Sequence, residues 1–378
     1  MDEAPDGCAL VYRNLIRPKN RGAVAARQRC EEMWTAFHPL ADRNFVERLP
    51  FAFHQRWFEM YLGAALVSAG LTVRAPKPGP DFEISAAGKR IFIEAVAPTP
   101  GNPEHADAVS EPVYSDAEGR AIAADVPHDR ITLRIASAVR SKLDVFDRYR
   151  SRGLVSADDA CIVAVNLRDI PQAWADSKEF FFRAVYGMGN RVLVIDPDAR
   201  RIVAAGREHR MILTRASGAA EAVAPMLDPA HADVCAILGS AADVGNVPDL
   251  LGDDFVIMLH VGAHVPFPRR FIGRGVEIRL RPGDESGSWT VEETDYGAPE
   301  PRGPERFTVE YEGTAFEGEW QIAGRGLHVR LARYGSAVPF RKGGDPAAAA
   351  REIAIEMLRV YGEARRPRVS RPEGNPQA

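Results

Sequence analysis

Residues 78–98, PGPDFEISAAGKRIFIEAVAP, constrain the fold more tightly than any other stretch. Two runs, Phe-Glu-Ile-Ser and Arg-Ile-Phe-Ile-Glu-Ala-Val-Ala, flank a short Ala-Ala-Gly-Lys break. Alternation with period two marks a strand, and two such runs around a glycine-containing break predict an antiparallel hairpin. Alternate residues of a strand share a face. Arg90, Phe92, Glu94 and Val96 therefore point one way, and Ile91, Ile93 and Ala95 the other. Glu94 is set among bulky apolar neighbours. A lone carboxylate is expensive to bury, so it must pair with a cation, bind a metal or sit at the sheet's edge. Asp81 follows Pro80 in the turn that opens the first strand, and across the hairpin its carboxylate approaches Glu94.

The flanking segments set this hairpin in an α/β domain. Residues 51–69 read as a long helix that Gly70 ends, and LTVRAP as a short strand. A proline- and glycine-rich loop follows the hairpin to about residue 127. HDRITLRIASAVRSKLDVFDRYRSRG is the next helix, with Asp129 placed to cap it, and ACIVAVNLRDI is a buried strand. ADVCAILGS and DDFVIMLHVGAHVPFP read as two further strands. The order predicts a mixed central sheet flanked by helices. From about residue 275 short alternating segments predict a smaller β-rich C-terminal unit with a closing helix. The expected domains are a helical or irregular extension over 1–45, the α/β domain over 46–270, the β-rich unit over 271–362 and a disordered tail over 363–378.

Composition narrows the function classes. The formal net charge of −4 argues against gripping nucleic acid by bulk electrostatics and leaves a local patch or bridging metal ions. The four cysteines form no CxxC pair, which speaks against a disulfide scaffold or a zinc ribbon and fits reduced thiols in a cytoplasm. The start MDEAPDGCAL has no signal-peptide pattern, and no apolar run reaches membrane-spanning length, so a cytoplasmic location without a membrane partner is expected.

A third acid lies in the first helix. In RWFEMYLGAAL nearly every neighbour of Glu59 is apolar, and helical spacing places Gln55, Glu59, Leu62 and Leu66 on one stripe. Glu59 therefore faces the core or a cleft. Acids held together repel, and a divalent cation is one way to keep them ionised. Taken singly, Asp81 also reads as a turn cap and Glu94 as the partner of Arg90 or another base. His260 and His264 read as structural, because their segment is strand then loop with no acid at matching spacing. Trp289, Trp320 and Tyr334, interleaved with Arg302, Arg306, Arg325, Arg330 and Arg333, read as core aromatics or as a base-stacking surface.

A helix bearing Glu59, then Pro80-Asp81 entering a hairpin, then Glu94-Ala95-Val96, then a helix and a buried strand, resembles the PD-(D/E)xK nuclease superfamily. The motifs cover about residues 50–170. The resemblance implies a restriction endonuclease-like core and metal-dependent hydrolysis of phosphodiester bonds, in DNA ahead of RNA. Mg²⁺, with Mn²⁺ as a substitute, would be held by Asp81, Glu94 and the backbone carbonyl of Ala95. Glu59 would hold a metal-bound water or a second ion, and a homodimer would be in keeping with the fold. The departure is Val96, where the superfamily usually has lysine. Lys142 is the replacement cation: it lies on a stripe with Ile131, Ile135, Ala138, Val145, Phe146 and Tyr149, which carries its ammonium toward the sheet. The bland alternative is a lysine that snorkels to solvent. Arg134, Ser137 and Arg140 on the same helix are candidates to contact phosphate or orient Lys142. Asn166 at the end of the buried strand either touches substrate or forms a turn. The rival functions are a decayed nuclease fold that docks nucleic acid or protein, and a structural ion-pair network in an unrelated α/β protein.

Overall fold

A computed structural model describes residues 4–86, 88–115, 119–198, 200–268, 270–283, 288–299, 302–331, 334–340 and 344–365. Four helices lead the chain: α1 (Leu10–Ile16), α2 (Arg21–Phe37), α3 (Phe45–Arg48) and α4 (Phe53–Ser68). Helix α4 is the one predicted over 51–69. It ends as expected, with Gly70 at φ +79° and the Leu71 amide bonded to the Leu66 carbonyl. Its side chains are apolar almost all round because it is enclosed on two sides, by α2 through Met33 and Phe37 and by the sheet through Ile91, Ile93 and Ala95. Gly63 allows that closeness: a Cβ there would meet the Phe37 ring at 2.5 Å.

The hairpin forms as read. Strand β1 (Thr72–Arg74) pairs with β2 (Phe82–Ala86), and β2 pairs antiparallel with β3 (Lys89–Val96). Ala87 in its turn lies outside the described residues. Helix α5 (His128–Ser151) carries the chain back to β4 (Ala160–Asn166), which runs parallel to β3. Asp129 does not cap α5; it sits inside the first turn and forms a two-point ion pair with Arg210 at 2.6 and 2.9 Å. Strands Val234–Ser240, Val256–Leu259, Val276–Pro282 and Trp289–Asp295 extend the sheet to eight strands, mixed in direction. The segments 276–282 and 289–295, grouped by their pattern with the C-terminal unit, thus add to this sheet, and the chain divides into compact units between Thr294 and Asp295.

Strand parity sorts β3 between two cores. Ile91, Ile93 and Ala95 pack with α4, whereas Phe92 and Val96 pack with Ile131, Ile135, Val139, Leu143 and Phe146 of α5 and with α6 (Ser177–Tyr186). The buried line of α5 runs through residues 139 and 143, so Ala138, Lys142 and Tyr149 sit on its flank, half-buried. Asp295–Ala378 forms the second unit: four antiparallel strands over Arg302–Pro339 with α7 (Pro346–Arg365) on one face. Trp320 lies in that unit's core with Phe307, Leu327 and Val329, which assigns it to packing. Most of the tail over 363–378 is outside the described residues. No described helix is long and apolar enough to cross a membrane.

Candidate active site

The pairing of β2 with β3 ends at Phe82 and Ile93. One step further, Asp81 comes opposite Glu94, and Pro80 opposite Ala95 has no N–H to continue the ladder. Side chains finish the strand's edge instead. The Ala95 amide donates to Asp81 Oδ2 at 2.8 Å, and the Ala97 amide donates to Gln55 Oε1 at 2.8 Å. Gln55 Nε2 donates to the Ala95 carbonyl at 3.3 Å and to Glu59 Oε1 at 2.8 Å. A hairpin turn and the first turn of α4 are thereby tied to the end of one strand.

Glu94 points to the α5 side and is 3% exposed. Its two oxygens are both engaged. Lys142 Nζ lies 2.6 Å from Oε2, and the Tyr149 hydroxyl lies 3.0 Å from Oε1 and 3.0 Å from the Gly79 carbonyl. Lys142 and Tyr149 are seven residues apart, two helical turns, and so reach the same carboxylate. Burial, and then the charge of Asp81, push the Glu94 carboxyl above its ordinary range; Lys142 and Tyr149 oppose this without reversing it.

Glu59 approaches from the opposite face of the sheet and is neutralised locally. Its Oε2 accepts from Arg56 Nη1 at 2.7 Å, and the same guanidinium nitrogen lies 3.0 Å from Asp42 Oδ2. Burial, followed by the Asp81 charge, nevertheless holds the Glu59 carboxyl above its usual range. Asp81 is thus the group whose charge reaches both other acids.

The remaining candidates lie elsewhere on the same elements. Arg134 donates to the Thr99 carbonyl at 2.9 Å and anchors the chain leaving β3. Ser137 accepts from Arg215 at 2.7 Å. Arg140 binds the Ala222 carbonyl at 2.8 Å and Glu221 at 3.1 Å. Ser137 and Arg140 therefore hold the small hairpin over 212–222 and leave Lys142 to Glu94. Asn166 is buried and closes a turn: its amide donates to the Ala242 carbonyl, and its oxygen accepts from the Arg168 amide. His260 and His264 are likewise structural, bonded to Asp228 and Asp233.

In the sequence Tyr149 and Gln55 stand out only as stripe positions. Their spacing carried the signal, since Tyr149 is two turns from Lys142 and Gln55 one turn from Glu59. Arg56 and Asp42 carried no pattern at all.

The donors gathered at the end of β3 are oxygens: two carboxylates, Asp81 and Glu94, and the Ala95 carbonyl. Hard oxygen donors suit Mg²⁺ or Mn²⁺. A dication there would also relieve the Asp81 repulsion that adds to burial in raising Glu94. Among the described residues no three His, Cys, Asp or Glu side chains gather into one metal-holding group. An ion at this place would therefore take two carboxylates, a main-chain oxygen and water. Comparison of the chain with family models, curated proteins and solved structures gives no match.

Proposed function

We propose that the chain is a metal-dependent nuclease with a restriction endonuclease-like core, hydrolysing phosphodiester bonds in DNA ahead of RNA. The observation that carries this reading is the Lys142 ammonium at 2.6 Å from Glu94, supplied by the following helix where strand residue 96 is valine. Asp81, Glu94 and the Ala95 carbonyl would hold the ion. When bound, Mg²⁺ polarises a phosphoryl oxygen and lowers the pKa of a water. Lys142 Nζ, on the same side as Glu94, orients the attacking water and offsets charge gathering on the phosphoryl oxygens. Tyr149 fixes the other oxygen of Glu94. Glu59, already paired with Arg56, supports the site through Gln55 and is not itself counted as a ligand.

The test is cleavage of plasmid DNA by the purified chain with Mg²⁺ or Mn²⁺. Asp81→Ala and Glu94→Ala should each abolish cleavage in protein that still melts cooperatively. Cleavage that survives both changes rejects the site. A second reading, the same fold retained only for binding, is favoured by Val96 and by the pairing of Glu59 with Arg56. It expects DNA retention on a filter without any strand breakage.

A further inference from the structure

We propose that Gln55 is the positioning residue of this site: its amide aims the Ala95 carbonyl and so completes the ion-binding set. The inference rests on the nuclease reading above. The edge of β3 that should pair with β2 loses its partner after Ile93. Peptides left without a partner normally turn toward water or take side-chain partners. Gln55 supplies two bonds there, accepting from the Ala97 amide at 2.8 Å and donating to the Ala95 carbonyl at 3.3 Å. This is the pattern by which a residue of a parallel strand would grip the strand opposite Val96, one bond to each side. A single primary amide thus stands in for a missing strand residue.

The orientation of that amide is fixed chemically. The Ala97 N–H only donates, while the Ala95 carbonyl only accepts, as does Glu59 once ionised, so oxygen must face Ala97 and nitrogen the other two. The second Nε2 hydrogen goes to Glu59 Oε1 at 2.8 Å. Glu59 is in turn held by Arg56, so the amide is braced from its own helix. The Ala95 carbonyl keeps a second lone pair beyond its long bond to Gln55, and its direction is set by a helix and not by a neighbouring strand. Outer partners that orient a metal's ligands are worth about 10–100-fold in metal affinity when removed.

The experiment is a Mn²⁺ titration of the full-length chain by calorimetry, comparing wild type, Gln55→Met and Asp81→Asn, with thermal melts in EDTA to confirm folding. Gln55→Met keeps the length of the side chain and removes its bonds; should it not fold, Gln55→Asn, one methylene short, takes its place. The expected result is Mn²⁺ affinity weaker by ~10–100-fold, with kcat for DNA cleavage lowered and KM unchanged. Wild-type Mn²⁺ affinity in a folded Gln55 variant, with Asp81→Asn binding none, overturns this inference alone and leaves Gln55 a structural brace. A wild-type chain that binds no Mn²⁺ overturns the nuclease reading and this inference with it.

Discussion

The Lys142 ammonium lies 2.6 Å from Glu94 Oε2, joining helix α5 to strand β3 with 19% of the lysine side chain and 4% of the glutamate side chain exposed. A buried pair that loses one partner leaves an uncompensated charge, at a cost of about 3–5 kcal/mol. Lys142→Met should therefore lower the unfolding free energy in EDTA by roughly 3 kcal/mol and abolish cleavage. Mn²⁺ should recover more stability in this variant than in wild type, because nothing competes for Glu94. Urea unfolding with and without Mn²⁺ reads both effects.

Val96 shares a face of β3 with Glu94 and is only half-buried. A lysine there would bring its ammonium to the same carboxylate from the strand. Val96→Lys placed in the Lys142→Met background should regain part of the lost cleavage rate, whereas Val96→Met in that background should regain none. Equal rates in the two double variants would show that the position of the cation is irrelevant.

The raised Glu94 carboxyl predicts a pH dependence. Burial, and then the Asp81 charge, let it keep its proton at pH values where a free glutamate has lost it, and an ion requires the ionised form. As pH falls, Mn²⁺ affinity should begin to drop while still above the ordinary glutamate range. Glu94→Gln should bind weakly and with a flatter pH profile. Affinity measured from pH 7.5 down to pH 5 checks the sign: a constant value down to the usual carboxylate range would contradict it.

Tyr149 gives Glu94 its second bond and also reaches the Gly79 carbonyl beside the Pro80-Asp81 turn. Tyr149→Phe keeps the ring and removes the hydroxyl. It should cost about 1–2 kcal/mol of stability and reduce the cleavage rate without abolishing it. A rate equal to wild type would remove Tyr149 from the site.

The parts of the fold that were legible in the sequence are local in origin. Period-two alternation in residues 90–96 placed Glu94 and Ala95 on opposite faces, and the structure sorts their neighbours between two cores in the same way. Helical spacing brought Lys142 toward the sheet, although the buried line of α5 runs one residue away, through Leu143. What escaped reading depends on contacts distant in sequence. Gln55 bonds residues about forty positions later, and Ser137 and Arg140 turn to a hairpin about eighty positions on. Asn166 carries no pattern that separates a turn closure from a substrate contact. Residues 276–282 alternate as an exposed sheet would, yet their edge pairs with Val256–Leu259, because alternation fixes a strand's faces and says nothing of its neighbour.

Crystals of the chain soaked in Mn²⁺ and measured for anomalous scattering show whether Asp81 and Glu94 share an ion. One strong peak is expected, bonded to the carboxylates of Asp81 and Glu94 and to the Ala95 carbonyl, with Lys142 Nζ drawn off Glu94 Oε2. A peak elsewhere, or none while the Lys142–Glu94 pair stays closed, would contradict it.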